Sequence, residues 1–206
     1  QQFWLIDIKS GEKEMLFELP EDEDQRPDLR LVDWSPDGST LYFSTSAKHL
    51  YDRGLVAFDI PSRKMKDLLR SDHVYSRWQM SEDGSTFIFT DSDGDHPDQL
   101  IASDVRFDKI IRLSDLNGWT AEKSLTHTEL ISYRDTDGAE LHGVLYYPAR
   151  FEKGKRYPLI TEVYERYFDN GFNPTLNIFT SAGYAVLHPS VDLETGYPGE
   201  SWAKGA

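Results

Sequence analysis

Residues 1 to about 120 alternate apolar and polar positions in short runs, and the runs return along the chain. This alternation predicts half-buried β-strands, and the tight turn dipeptides between the runs predict hairpins. One pattern reads FWLIDIKSGEKEML and returns as GLVAFDIPSRKMKDLL and, more loosely, as QLIASDVRFDKIIRL. A second pattern reads VDWSPDGSTLYFST and returns as RWQMSEDGSTFIFT.

The spacing of these repeats indicates β-propeller blades. The turns at Asp37-Gly38 and Asp83-Gly84 lie 46 residues apart, and a period in the forties with several strands per unit is typical of a propeller. The repeats amount to about two and a half blades, whereas closure of a propeller needs at least about four. We therefore expect this half of the chain to be part of a propeller.

The SPDG sequence has a mechanical interpretation. Ser35 and Asp37 favour a turn through local side-chain hydrogen bonds, and Gly38 accepts a positive φ. Trp34 and Phe43 are then expected to point into the space between blades. All of these residues are interpreted as structural.

The pattern changes at about residue 125. Two predicted strands joined by the turn Asp137-Gly138 lead to RYPLITEVY, whose nearly continuous apolar run is typical of a strand covered on both faces. The next segment, NPTLNIFTSAGY, predicts a helix that Asn173 caps and Gly183 ends. YAVLHPS then predicts another buried strand. Strand, helix and strand in this order predict a βαβ unit with a parallel sheet.

Composition and charge narrow the classes of function. Of the 206 residues, 38% are hydrophobic, 28% charged and 13% aromatic, so the chain can form a globular core. The formal net charge is −14, and such a field repels a phosphate backbone, so nucleic acid is not an expected partner. The excess of acidic residues is interpreted as a feature that keeps the protein soluble. The alternative is that the negative charge steers a cationic or N-terminal-amine substrate.

The sequence contains no cysteine, which excludes disulfides, thiolate metal ligands and a cysteine nucleophile. No apolar run approaches the roughly 18 residues of a transmembrane helix, so no membrane span is expected. The opening QQFWLIDIKSG already reads as a strand, and the missing signal sequence therefore does not decide the compartment. A periplasmic or secreted location is preferred over a cytoplasmic one.

A propeller followed directly by an α/β sheet resembles the prolyl oligopeptidase family of serine peptidases, which includes dipeptidyl peptidase IV and the acylaminoacyl peptidases. The resemblance covers nearly the whole chain and is strongest in about the last 80 residues. The resemblance is carried by ISYRDTDGAELHGVLYYPARFEKGKRYPLI, which is similar to the family's entry into its hydrolase domain, and by SAGYAVLHPSVDLETGYPGESW. It implies a fold of all-β propeller blades followed by the N-terminal part of an α/β-hydrolase domain. Residues 1–122 would be C-terminal blades, and residues 123–206 would be the start of the peptidase domain, truncated before the nucleophile elbow.

By the same resemblance, Tyr164 takes the place of a tyrosine that ends an equivalent strand and helps to form the oxyanion hole. A phenol at the carboxyl end of a strand can donate a hydrogen bond to a developing alkoxide. The alternative is that Tyr164 is simply an amphipathic residue at a strand end. The family's glycine-bearing turn and its RGS arginine are replaced here by Glu165-Arg166-Tyr167 and by VDLETGY.

The catalytic triad is not recognisable in this sequence. The family's nucleophile lies in a GxSxG elbow, and the nearest imitation is GESWA, in which Ser201 is not expected to be the nucleophile. His142 and His188 lie beside predicted strands and are interpreted as structural. The resemblance therefore implies that the serine, aspartate and histidine of the triad lie outside this chain.

Neither a metal nor a cofactor is expected. TDSDGDHPDQ places four aspartates, Asp91, Asp93, Asp95 and Asp98, around Gly94. A calcium loop is one interpretation, but an EF-hand needs its glycine at the sixth position and a glutamate at the twelfth. An exposed hairpin turn between blade strands fits better. No glycine-rich phosphate loop follows any predicted strand.

Two functions are left open. The first is a segment of a serine-type peptidase that hydrolyses short peptides through an acyl-enzyme, either as a dipeptidyl peptidase or as an oligopeptidase. The second is a non-catalytic β-propeller interaction module with a degenerate hydrolase domain. A short peptide is the expected partner in the first case, and a homodimer is an open alternative to a monomer.

Overall fold

The computed structural model describes residues 1–21, 26–47, 51–164, 169–191 and 193–205. This part of the chain divides into two compact units: the first comprises Gln1–Ser71, Arg77–Phe89 and Ala102–Ile111, and the second comprises Asp72–Ser76, Thr90–Ile101 and Arg112–Ala206. The domain boundary between residues 122 and 123 stays a prediction. Within the described ranges, the helices are too short or too polar to cross a membrane.

Three of the sheets follow one another along the first 112 residues. The first is an antiparallel pair, β1 (Gln2–Ile6) and β2 (Lys13–Glu18). The second is antiparallel with neighbours in chain order: β3 (Asp28–Trp34), β4 (Thr40–Ser46), β5 (Arg53–Asp59) and β6 (Lys64–Ser71). The third keeps the same order: β7 (Val74–Met80), β8 (Thr86–Ser92), β9 (Gln99–Asp104) and β10 (Ile110–Arg112). Two four-stranded sheets and one pair are consistent with the predicted two and a half blades.

The two predicted Asp-Gly turns between blade strands are confirmed. Asp37 Oδ1 accepts hydrogen bonds from Ser35 Oγ at 2.6 Å, from Ser39 N at 3.0 Å and from Ser39 Oγ at 2.8 Å. The same three bonds, at 2.6, 3.0 and 2.8 Å, recur at Asp83. Gly38 has a φ of 74°, in the left-handed region that a residue without a Cβ reaches at little cost.

Aromatic packing fills the core of the first unit. The ring of Phe43 on β4 contacts Phe3 and Phe17 of the two-stranded sheet, with centroids 5.2 and 5.7 Å apart. Phe43 therefore lies between two sheets, as the repeat pattern predicts. Trp34 stays 40% exposed, and it lines a surface groove beside Ile6 of β1.

The last sheet is mixed. It contains β11 (Thr128–Arg134), β12 (Glu140–Tyr146), β13 (Leu159–Thr161) and β14 (Ala185–Ser190), in the order β11-β12-β14-β13. β12 pairs antiparallel with β11 and with β14, whereas β13 and β14 run parallel. The predicted hairpin turn at Asp137-Gly138 joins β11 to β12, with Gly138 at a φ of 88°.

Helix α1 (Pro174–Ser181) connects the two parallel strands. The Asn173 side chain accepts hydrogen bonds from Thr175 N at 3.0 Å and Leu176 N at 3.2 Å, which caps the helix. Gly183 follows the helix with a φ of 94°, as expected of a C-terminal glycine. The predicted βαβ unit is thus confirmed, while the assignment to an α/β-hydrolase domain stays a prediction. A second helix, α2 (Pro198–Gly205), follows β14.

The structure corrects one expectation about the strands. RYPLITEVY was expected to be covered on both faces, but β13 has only three residues and Leu159 is 54% exposed. In the described part of the chain β13 pairs with β14 alone, so it is an edge strand there. β14 behaves as predicted, because Val186 and His188 are buried.

Candidate active site

The candidate site lies where β13 and β14 end. The strands pair in parallel, with Thr161 opposite Leu187, and Glu162 N continues the ladder by donating to Leu187 O at 3.0 Å. The carboxyl ends of parallel strands meet at one edge of a sheet, and open α/β sheets bind their ligands at that edge. The described residues after β13, which end at Tyr164, belong to this edge.

A cavity of about 590 Å³ opens beside the strand ends. Tyr164, Glu162 and His188 contribute to its lining, together with Asp169 and the helix-capping Asn173. Tyr164 also lines a smaller cavity together with Val163 and Trp202. The cavity is of the size that small-molecule and peptide sites occupy.

His188 connects this cavity to the core of the sheet. Its side chain is only 4% exposed, and its Nε2 lies 2.8 Å from Oε2 of the half-exposed Glu162. A carboxylate only accepts hydrogen bonds, so Nε2 carries the proton in this pair. The ring also packs edge-on against Tyr146, with centroids 5.4 Å apart. Burial lowers the pKa of His188 below its usual value, and the Glu162 carboxylate opposes that shift without cancelling it.

Tyr164 is 51% exposed and lines the cavity from the end of the described segment. This placement is compatible with a phenol that donates to a reacting group in the cavity. It is equally compatible with an amphipathic strand-end residue, so the oxyanion role stays a prediction. Glu165-Arg166-Tyr167, which replace the family's glycine-bearing turn, lie outside the described residues.

Ser201, the serine of the GESWA sequence, belongs to the structure of α2. It is buried, its Oγ accepts from Glu194 N at 3.0 Å, and it lies 3.4 Å from the Tyr197 carbonyl oxygen. These contacts tie the helix to the loop before it. His142 lies 3.1 Å from Ser132 Oγ within the β11–β12 hairpin. Neither residue lines the cavity.

Sequence reasoning missed the part that His188 plays in the cavity. The interpretation of His188 as structural is correct for its burial and its place in β14, but it omits the contact with Glu162. The available signal was that Glu162 and His188 each lie near the end of a predicted strand. That signal could not pair the two residues, because the register of β13 against β14 depends on the helix between them.

The segment that contains four aspartates is less exposed than the predicted exposed turn. Asp91, near the end of β8, lies 2.8 Å from His73 Nδ1, and Asp93, in the connection to β9, lies 2.9 Å from His96 Nδ1. Asp93 is only 25% exposed, because these contacts fold the loop back. Burial lowers the pKa of His73, but the hydrogen bond and charge of Asp91 outweigh it, so the pKa is raised overall.

Asp95 in the same loop anchors the start of β11. Its carboxylate accepts from Thr128 N and Thr128 Oγ1, both at 2.7 Å, and contacts His127 Nδ1 at 2.7 Å. Burial raises the pKa of Asp95, but these hydrogen bonds outweigh that effect and lower it overall. The loop and its histidines border a cavity of about 810 Å³. Among the residues described, no three His, Asp or Glu side chains are arranged to hold a metal ion.

Comparisons with known proteins agree with this fold. No protein-family model matches the sequence, and no curated protein matches it. Solved structures do match: dipeptidyl peptidase 4 from Porphyromonas gingivalis has a TM-score of 0.69 at 16% identity, over 91% of this chain and 27% of that one. An acylaminoacyl peptidase from Pyrococcus horikoshii gives 0.64 at 16% identity, over 94% and 36%.

A structure from a study of two prolyl endopeptidases gives a TM-score of 0.66 at 13% identity, over 98% of this chain and 30% of that one. At identities this low the similarity shows a shared fold. The resemblance to the prolyl oligopeptidase family is confirmed at that level. The chain spans about 28% of the length of the solved isopeptidase chains that it also matches.

Proposed function

We propose that this chain is a segment of a serine-type peptidase that hydrolyses short peptides through an acyl-enzyme. The observation that carries the proposal is the position of Tyr164, which lines a cavity at the carboxyl end of a parallel strand. The shared fold with structures named as dipeptidyl, prolyl and acylaminoacyl peptidases supports it. The proposal includes both the dipeptidyl-peptidase type and the oligopeptidase type.

In this mechanism a serine from outside the 206 residues attacks the peptide carbonyl carbon, and the carbonyl oxygen gains negative charge. The Tyr164 phenol donates a hydrogen bond to that oxygen as the tetrahedral intermediate forms. The C–N bond then breaks, the amine leaves with the proton that the serine hydroxyl has lost, and water hydrolyses the acyl-enzyme and regenerates the serine. One such donor is typically worth about 3 kcal/mol of activation free energy.

The test is Tyr164→Phe in the intact protein that contains this chain. We expect kcat for a chromogenic short peptide to fall at least about ten-fold with little change in KM, because the lost hydrogen bond is made only in the transition state. Tyr197→Phe is the matched control, since Tyr197 is 65% exposed near α2 and is not among the residues lining the cavity. Unchanged turnover with intact folding would reject the oxyanion role.

A non-catalytic β-propeller interaction module is the second candidate. The sequence favours it at two places, because Glu165-Arg166-Tyr167 and VDLETGY depart from the family's oxyanion loop and its RGS motif. A fluorophosphonate probe, which reacts with activated serines, separates the candidates when it is applied to the intact protein. Labelling that a peptide substrate competes away supports the peptidase, and no labelling of the folded protein supports the module. The peptide substrate and a homodimer stay proposals as well.

A further inference from the structure

The segment that carries Tyr164 is joined to the sheet through the backbone and the side chain of Glu162. β13 ends at Thr161, and one further ladder bond, from Glu162 N to Leu187 O at 3.0 Å, holds the next residue. Beyond that bond, Glu162 Oε2 lies 2.8 Å from His188 Nε2, and this hydrogen bond joins the segment to β14.

The two ends of this tether differ in burial. His188 is held on one side by the ladder of β14 and on its ring face by Tyr146, and it is 4% exposed. Glu162 is 56% exposed and has freedom to move without the bond. A rigid buried donor that binds a more mobile carboxylate orders the carboxylate, and a hydrogen bond to a charged acceptor is stronger than a neutral one.

We propose that the Glu162–His188 pair is a positioning device for Tyr164. The pair fixes residue 162, and Tyr164, two residues further along the chain, lines the same cavity as both members of the pair. Glu162 and His188 act through Tyr164 and are therefore positioning residues, not catalytic ones. The effect on turnover rests on the proposed peptidase function, whereas the effect on the orientation of Tyr164 does not.

Glu162→Ala removes the acceptor at a half-exposed position, so the fold is expected to survive. Glu162→Gln keeps an oxygen that can accept from His188 Nε2 and serves as the conservative variant. Glu140→Ala is the matched control, because Glu140 is an exposed carboxylate at the start of β12 in the same sheet. His188→Leu breaks the tether from the other end.

The first measurement is independent of activity. The intact protein is labelled with 3-fluorotyrosine, and the ¹⁹F resonance of Tyr164 is assigned by its loss in Tyr164→Phe. Glu162→Ala and His188→Leu are expected to shift or broaden this resonance, while Glu162→Gln and Glu140→Ala leave it in place. An unaltered Tyr164 resonance in Glu162→Ala would overturn the proposal whether or not the protein is a peptidase.

The second measurement is a double-mutant cycle on turnover. In the otherwise unchanged protein, Tyr164→Phe is expected to lower kcat at least about ten-fold. In the Glu162→Ala variant, the same substitution is expected to lower kcat less than about three-fold, because the phenol is already misdirected. If the loss of kcat in the double variant equals the product of the losses in the two single variants, the pair does not act through Tyr164. If Tyr164→Phe leaves kcat unchanged, the oxyanion role of Tyr164 is wrong although the protein is a peptidase, and the fluorine resonance alone decides the positioning role.

Discussion

At the scale of single residues, the turn aspartates show how a short sequence controls a charge. Hydrogen bonds from neighbouring serine hydroxyls, together with a backbone N–H, lower the pKa of Asp37 to about 2, and the same contacts do so at Asp83. Both carboxylates are surface groups. Their low pKa therefore comes from local donors and not from a buried partner.

This arrangement predicts an acid-dependent part of the stability. A carboxylate whose pKa is lower in the folded state stabilises the fold above about pH 4, and that contribution is lost as pH falls toward 2. Asp83→Asn is expected to lower the free energy of unfolding at pH 7 and to converge with the unmodified protein in acid, as measured by urea unfolding at several pH values. Glu82→Gln, at the neighbouring exposed position, is the control. A gap of constant size across the pH range would contradict the prediction.

Residues whose role is local were predictable from the sequence. Asn173 caps α1 and Gly38 takes a positive φ because the neighbouring residues alone require it. The Glu162–His188 pair was not predictable, because it joins residues 26 positions apart. Arg63 also has a positive φ, of 58°, and the repeat aligns it with Gly11, whose φ is 74°.

At the scale of elements, the pairing of β5 with β6 leaves no room at Gly54. A Cβ built at this position would lie 1.8 Å from the Leu69 carbonyl oxygen and 2.7 Å from its carbonyl carbon. The register between the strands shifts between Leu55 and Val56. The irregularity lies directly beside the glycine, so the backbones approach closely at this point.

Gly54→Ala is therefore expected to reduce the free energy of unfolding by at least about 2 kcal/mol, in the upper part of the range for single substitutions. Urea unfolding gives the size, and faster hydrogen exchange in peptides from β5 and β6 gives the location. Gly199→Ala is the matched control, because a Cβ there meets nothing within 4 Å. Equal stability of the two variants would show that the strands can separate without cost.

The sequence predicted the strands better than their surroundings. Alternation and turn residues located the hairpins of the first three sheets, since both signals are local. The prediction that β13 is buried on both faces was wrong. An apolar run indicates that a strand tends to be buried, but it does not show which element covers the strand. The contact of Asp93 with His73, at 3.8 Å, was missed for a similar reason, because His73 lies in the turn between β6 and β7 and is distant from Asp93 in sequence.

At the scale of the whole molecule, the excess of acidic residues opposes compaction. A net charge of −14 on 206 residues produces repulsion between exposed carboxylates. Salt screens such charges, and the screening length falls from about 30 Å at 0.01 M to about 10 Å at 0.1 M ionic strength. Repulsion between distant acidic groups should therefore depend strongly on salt.

We expect the midpoint of thermal unfolding to rise as KCl increases from about 0.01 M to about 0.3 M. A variant that carries Glu12→Gln, Glu21→Gln and Glu122→Gln, all at exposed positions, should rise less, since it has less repulsion to screen. Differential scanning fluorimetry measures both midpoints. A midpoint that falls with salt would mean that attractive ion pairs outweigh the repulsion.

For the molecule as a whole, repeats and strand order were readable because they are periodic in sequence. The repeat period gave the number of sheets, and the strand, helix and strand order gave the parallel pair of β13 and β14. The location of the candidate cavity followed from that topology. Its lining did not, because residues as distant as Ser92 and His188 contribute to it.

The paired turns at Asp37 and Asp83 have a consequence for how such a chain diverges. Every donor to each aspartate lies within two residues of it, and the bond lengths agree at both sites. The geometry is thus carried by five consecutive residues and needs no help from distant parts of the protein. When a stretch of 46 residues is copied within a gene, its bends travel with it, and the copied strands can drift in sequence while the chain still reverses at the same points.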